Sequence, residues 1–167
     1  MKKISFVLAI ASALLFNACK KDDTVSAANL SAGHSKVSLT ASGATSGNFS
    51  SNDLISTVAK SGADINLSAS FVNTTSFTTE IVMMLLPADI TTGTYNFKTM
   101  PSSTVLPTFV YTKGATGWAA TPSESEFSIV VSKATSTEIE GTFSGTVHND
   151  TDGTDVTISN GRFAAKY

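Results

Sequence analysis

Chemistry in this chain has few places to start. Nucleophilic catalysis needs a nucleophile, a base and a group that orients the base, and the only imidazoles are His34 and His148. With 48 serines and threonines among 167 residues, a hydroxyl near either histidine carries no information, and no Gly-x-Ser-x-Gly elbow occurs. Paired carboxylates of the glycosidase type have two candidate sets, Glu124 with Glu126 and Glu138 with Glu140. Each set lies opposite an apolar row, where acids keep a sheet soluble. The run Asn149-Asp150-Thr151-Asp152-Gly153-Thr154-Asp155 has the oxygen density that Ca²⁺ favours. With Gly153 in the sixth place, however, the twelfth is Ser159 instead of an acid, and Asn, Asp and Gly are also what a hairpin turn requires. No metal site is expected. Tyr95, Phe97, Phe109, Tyr111 and Trp118 fall within 24 positions, and Trp118 follows the turn Lys113-Gly114-Ala115-Thr116-Gly117. Such rings fill a core or, when exposed, stack on the apolar face of a sugar. Trp118 and Tyr111 are the candidates for the second role. No phosphate-cradling glycine loop and no basic stripe occurs, and a formal charge of −2 gives no footprint for nucleic acid. No cofactor is implied.

The elements that must position these residues are strands. At 41% apolar and 14% charged residues, the chain has the composition of a folded domain. From residue 36 onward the apolar period is two. Val37 and Leu39 alternate with polar residues, and so do Ile65, Leu67, Ala69 and Phe71, then Phe127, Ile129 and Val131. Ile139, Phe143 and Val147 share a parity with Gly141 and Gly145, which turns His148 to solvent. This is the pattern of half-buried strands, and no helical stripe interrupts it. Strands joined by short polar turns imply antiparallel sheets, and a single antiparallel β-sandwich domain is the economical solution. Ile81 to Leu86 is apolar on both parities. Such a strand is covered on both faces or presents one to a partner, with Val82, Met84 and Leu86 as the candidate patch. Val156 and Ile158 have even parity while Phe163, Ala165 and Tyr167 have odd parity. That slip predicts a β-bulge at Asn160-Gly161, with Gly161 as the permissive residue.

The N-terminus reads as an address. Lys2 and Lys3 precede an apolar run from Ile4 to Phe16, too short for a membrane span and right for a signal peptide. Leu15-Phe16-Asn17-Ala18-Cys19 follows, and it resembles the lipobox of bacterial lipoproteins. In that family the cysteine thiol is diacylglycerylated, the chain is cut before it and the new amine is acylated. The implied cut falls between Ala18 and Cys19, the only cysteine, which also excludes an internal disulfide or a cysteine-rich zinc site. Two or three acyl chains anchor stably where one is marginal. Lys20-Lys21-Asp22-Asp23 has no Asp directly after the cysteine, which resembles outer-membrane sorting. Its lysine and acid patch resembles the export signal of surface-displayed lipoproteins. The expected organisation is a leader over 1–18, the lipidated cysteine and a flexible tether over 19–35, and a β-sandwich over 36–167. Without Lys2 and Lys3, nine basic side chains face thirteen acidic ones, a formal −4.

Three segments stand in order along the second half: Gly93-Thr94-Tyr95, Gly141-Thr142-Phe143-Ser144-Gly145-Thr146, and Ile158-Ser159-Asn160-Gly161-Arg162-Phe163. Over residues 62–167 they resemble an uncharacterised β-sandwich family of small Gram-negative lipoproteins. The resemblance implies a β-sandwich lipoprotein and carries over no catalytic residue. The expectation is therefore a non-enzymatic protein of the outer membrane, tied to the bilayer by lipid on Cys19, whose domain meets a glycan or an envelope protein. A carbohydrate-binding role needs Trp118 or Tyr111 exposed. A structural or adhesive role needs an exposed apolar patch or an unprotected edge strand.

Overall fold

The computed structural model describes residues 25–52, 54–98, 107–122 and 126–167. A 3-10 turn at Ala27–Asn29 precedes eleven strands: β1 His34–Gly43, β2 Gly47–Ser50, β3 Thr57–Lys60, β4 Asp64–Asn73, β5 Thr78–Pro87, β6 Gly93–Asn96, β7 Thr108–Lys113, β8 Thr116–Ala120, β9 Phe127–Ala134, β10 Glu138–Asn149 and β11 Thr154–Lys166. The fold is all-β and every pairing is antiparallel.

The expected sandwich of two separate sheets is not what forms. The strands run β1-β3-β4-β5-β7-β8-β10-β11 and return to β1, an eight-strand closed barrel, with β2 pairing on β1 and β9 and β6 continuing from β10 off that path. Closure is possible because two long strands each share one edge between two neighbours. Along β1, Ser38 to Ala41 pair with β2, and His34 alone pairs with Thr57 of β3. Along β10, Ile139 to Gly145 pair with β9, and His148 alone pairs with Ala119 of β8. Period two assigns faces and says nothing about neighbours, so sequence patterning leaves ring and sandwich open.

Three buried serines stitch the thin β1–β3 seam. Ser35 donates its hydroxyl toward the Thr57 and Ser68 carbonyls at 3.0 and 3.1 Å. Ser51 accepts from the Val37 amide at 2.9 Å. Ser56 donates to the Asn52 carbonyl at 2.7 Å and accepts from the Ser70 amide at 3.1 Å. A buried hydroxyl is tolerated only when bonded, and here each one completes backbone valences where a ladder is missing.

The lumen is filled. Phe97, Phe109, Phe127, Phe143 and Phe163 are buried and form a continuous run of rings. Centroids lie 4.6 Å apart for Phe109–Phe127, 5.0 Å for Phe109–Phe143 and 6.3 Å for Phe143–Phe163. On β5 the inward row is Val82, Met84 and Leu86, all buried. The patch expected from sequence is thus inside, and Ile81, Met83 and Leu85 form the outward row, with Met83 45% exposed.

The bulge sits where the parity slip puts it. Between Ile158 and Gly161, β11 carries one residue more than either β1 or β10 across from it. The roles of its two residues differ from expectation. Asn160 takes the left-handed conformation, with φ of 53°, which Asn tolerates better than most side chains. Gly161 is needed for space, because a Cβ there would run into the Phe143 carbonyl and ring.

Residues 25–35, read from sequence within the tether, are seated on the barrel. Glu140 accepts from the Ala27 amide at 2.7 Å and from the Ser26 hydroxyl at 3.1 Å. Ala27 and Leu30 pack on Ala164, and the Gly33 amide donates to the Lys166 carbonyl. These small apolar residues show no periodicity, so their burial leaves no pattern to read. Strand directions place this segment and the turns at 61–63, 88–92 and 135–137 at one end of the barrel. The turns at 44–46, 74–77, 114–115 and 150–153 lie at the other.

Candidate functional site

Trp118 and Tyr111 lie at the second end, inside the wall. Trp118 is 5% exposed and Tyr111 is 1% exposed, and their rings stack with centroids 6.0 Å apart. The Trp118 indole N–H donates to Thr154 Oγ1 at 3.0 Å, and the Thr154 hydroxyl donates to Asp152 at 2.6 Å. The Tyr111 hydroxyl donates to Glu80 Oε2 at 2.7 Å. Lys113 Nζ lies 3.3 Å from Glu80 Oε1 and donates to the Ser46 carbonyl at 3.1 Å. Burial, reinforced by the Glu80 carboxylate, pushes the Tyr111 hydroxyl well above the ordinary phenol range. This constellation binds four elements and two turns together. It offers no open ring face, so the expected stacking of Trp118 or Tyr111 on a sugar does not fit this geometry.

Local alternation explains the placement. Phe109 and Tyr111 share the inward parity of β7, and Trp118 and Ala120 that of β8. Glu80, which the sequence reading passed over, shares parity with Val82, Met84 and Leu86 and directly faces Lys113 across the ladder. An acid in an apolar parity row is the signal that would have found it.

The other candidates are dispersed on the outer surface. His148 Nδ1 and Asp155 Oδ1 are 2.5 Å apart, a cross-strand pair on the outside of β10 and β11. A carboxylate that orients an imidazole is part of a triad, but here both groups face solvent, as parity required of His148. His34 opens β1 opposite Lys166 and Thr57. Glu126 pairs with Lys98 at 2.9 Å, and that lysine holds its carboxyl below the usual range. Glu138 pairs with Lys133 at 2.8 Å and raises the ammonium in turn. Glu140 holds the 3-10 turn, so each of these acids is tied to its own partner. Glu124 and Cys19 lie outside the described residues. In the 149–155 loop, Asn149 Oδ1 accepts from the Thr151 amide, and Asp152 accepts from both the amide and hydroxyl of Thr154. The Asn149 and Asp152 side-chain oxygens thus satisfy the turn itself. Among the described residues no group of three or more His, Cys, Asp or Glu is placed to hold a metal ion.

Sequence reading also missed Arg162, the only arginine of the chain. It projects from β11 just past the bulge into a shallow groove on the outer sheet. Its signal was the parity slip, which puts two outward polar residues, Asn160 and Arg162, on either side of an inward Gly161. In comparisons with known proteins, no family model, no curated protein and no solved structure matches the chain.

Proposed function

We propose that this protein is a lipid-anchored, non-enzymatic binding protein of the outer membrane, held by acyl chains on Cys19 and displayed at the cell surface. The observation that carries this is the position of the sole cysteine, directly after Ala18 at the end of an apolar leader. The motif order of the second half, which resembles small Gram-negative lipoproteins, points the same way. The fold is suited to the role. The chain joins the barrel at one end, and four turns lie at the opposite end, so a lipid at Cys19 would leave the barrel wall and far turns free. Because the lumen is packed with rings, a ligand is met on the outside of the wall.

Metabolic labelling with an alkyne fatty acid tests the anchor. The wild-type chain takes up label and fractionates with the outer membrane, whereas Cys19→Ala takes up none and appears in the soluble fraction. Protease treatment of intact cells then tests display. Labelling that survives Cys19→Ala, or a wild-type chain without label, refutes the anchor, and full protection from protease places the domain on the periplasmic leaflet.

A further inference from the structure

We infer that the groove around Arg162 is a binding site for a carboxylated sugar unit of an acidic polysaccharide. The groove has a volume of about 280 Å³ and is lined chiefly by Ser128, Val130, Thr142, Ser144, Asn160 and Arg162. It crosses three neighbouring strands. Thr142 sits opposite Arg162 on one side and opposite Val130 on the other. No carboxylate lines it. Lys98, Lys113 and Lys133 each rest on an acid, whereas the Arg162 guanidinium has no partner among the described residues.

The bulge builds the site. The extra residue in β11 adds Asn160 to the outward face beside Arg162, and re-aiming side chains is what bulges do next to binding sites. A planar guanidinium matches a carboxylate with two parallel hydrogen bonds. Hydroxyls and a primary amide both donate and accept, as sugar hydroxyls do. Val130, 40% exposed, supplies an exposed apolar spot against which a pyranose can lay its C–H face. Other ligands fit less well. A protein partner would seek a deep pocket for a large aromatic or aliphatic anchor, whereas here Phe143 is buried in the groove floor and, of the apolar lining, Val130 alone is exposed. Nucleic acid would need a run of cations, and Arg162 stands alone among hydroxyls. This inference rests on the binding role proposed above and is independent of the lipid.

The test uses the intact chain in detergent micelles, titrated calorimetrically with polygalacturonate, with its methyl ester as the uncharged twin and with poly-L-glutamate as a carboxylate without sugar. Polygalacturonate binds, and binding weakens as salt rises. The methyl ester and poly-L-glutamate each bind about tenfold more weakly or worse. Arg162→Ala loses about tenfold or more and Arg162→Lys loses less, because only the fork is lost. Asn160→Gly, which keeps the left-handed backbone, and the near-isosteric Thr142→Val weaken binding without lowering the melting temperature. Equal affinity for the ester, equal affinity for poly-L-glutamate, or Arg162→Ala binding as tightly as wild type would each overturn the site. A wild-type chain that binds a neutral glycan and ignores Arg162→Ala overturns this groove while the binding role stands. Absence of binding to all three polymers overturns the groove and leaves the Cys19 labelling result as it is.

Discussion

Tyr111→Phe deletes one oxygen and nothing else from the end of the barrel. The ring keeps its place against Trp118, and no cavity of methyl size opens. What is lost is a 2.7 Å hydrogen bond to a buried carboxylate. Bonds to charged groups are worth about 1.5–3 kcal/mol. Glu80 keeps Lys113 at 3.3 Å, so the carboxylate is not stranded and the expected loss is about 2 kcal/mol. Glu80→Gln still accepts from Tyr111 and should cost about 1 kcal/mol. The double variant should fall short of additivity, since both changes act on one contact. Trp118 is the only tryptophan and stacks on Tyr111, so urea unfolding followed by its emission reports on this end of the barrel directly. The pH dependence gives a second readout. The folded state raises the Tyr111 pKa, so it holds that proton more tightly than the unfolded chain. The contribution is therefore complete below the unfolded value near 10 and is lost as pH rises toward the folded value. Tyr167, pushed up to about 12 by burial, has the same sign. Tyr111→Phe should thus flatten the alkaline loss above pH 10 without abolishing it. A Tyr111→Phe protein within about 0.5 kcal/mol of wild type, or one with an unchanged alkaline slope, would refute the claim that this bond holds the barrel end.

Two further stability predictions follow from backbone geometry. Gly161→Ala should cost about 3 kcal/mol or prevent folding, because the new methyl overlaps the Phe143 carbonyl and ring. Asn160→Gly should stay within about 1 kcal/mol of wild type, which separates the two roles in denaturant melts. In the 149–155 loop, Asp152→Ala should cost about 1 kcal/mol by freeing the amide and hydroxyl of Thr154. Calcium or its chelation should leave the melting temperature unchanged, and a calcium-dependent rise would show that this loop coordinates the ion.

Much of the architecture is legible in the residues one at a time. Alternation at Ile65 to Phe71, Phe127 to Val131 and Ile139 to Val147 marks strands and their inner faces, and β4, β9 and β10 follow. The parity slip after Ile158 locates the bulge. The proposed leader and lipid site rest on local motifs alone. Periodicity applied to β5, β7 and β8 would also have placed Glu80, Tyr111 and Trp118 inside; the aromatic rings drew attention to their chemistry ahead of their parity.

Local sequence by itself determined the strand class, the inward faces and the place of the bulge, because each depends on alternation within a few residues. The tertiary structure alone decided closure, which hangs on the single pairs His34 with Thr57 and His148 with Ala119 and on the buried serines that bond across the β1–β3 seam. It also decided that Gly161 serves the Phe143 ring, and that Arg162 meets Thr142, Ser144 and Ser128 in one groove. These depend on which strands become neighbours. That choice is made by packing rings across the lumen, and no stretch of one strand encodes it.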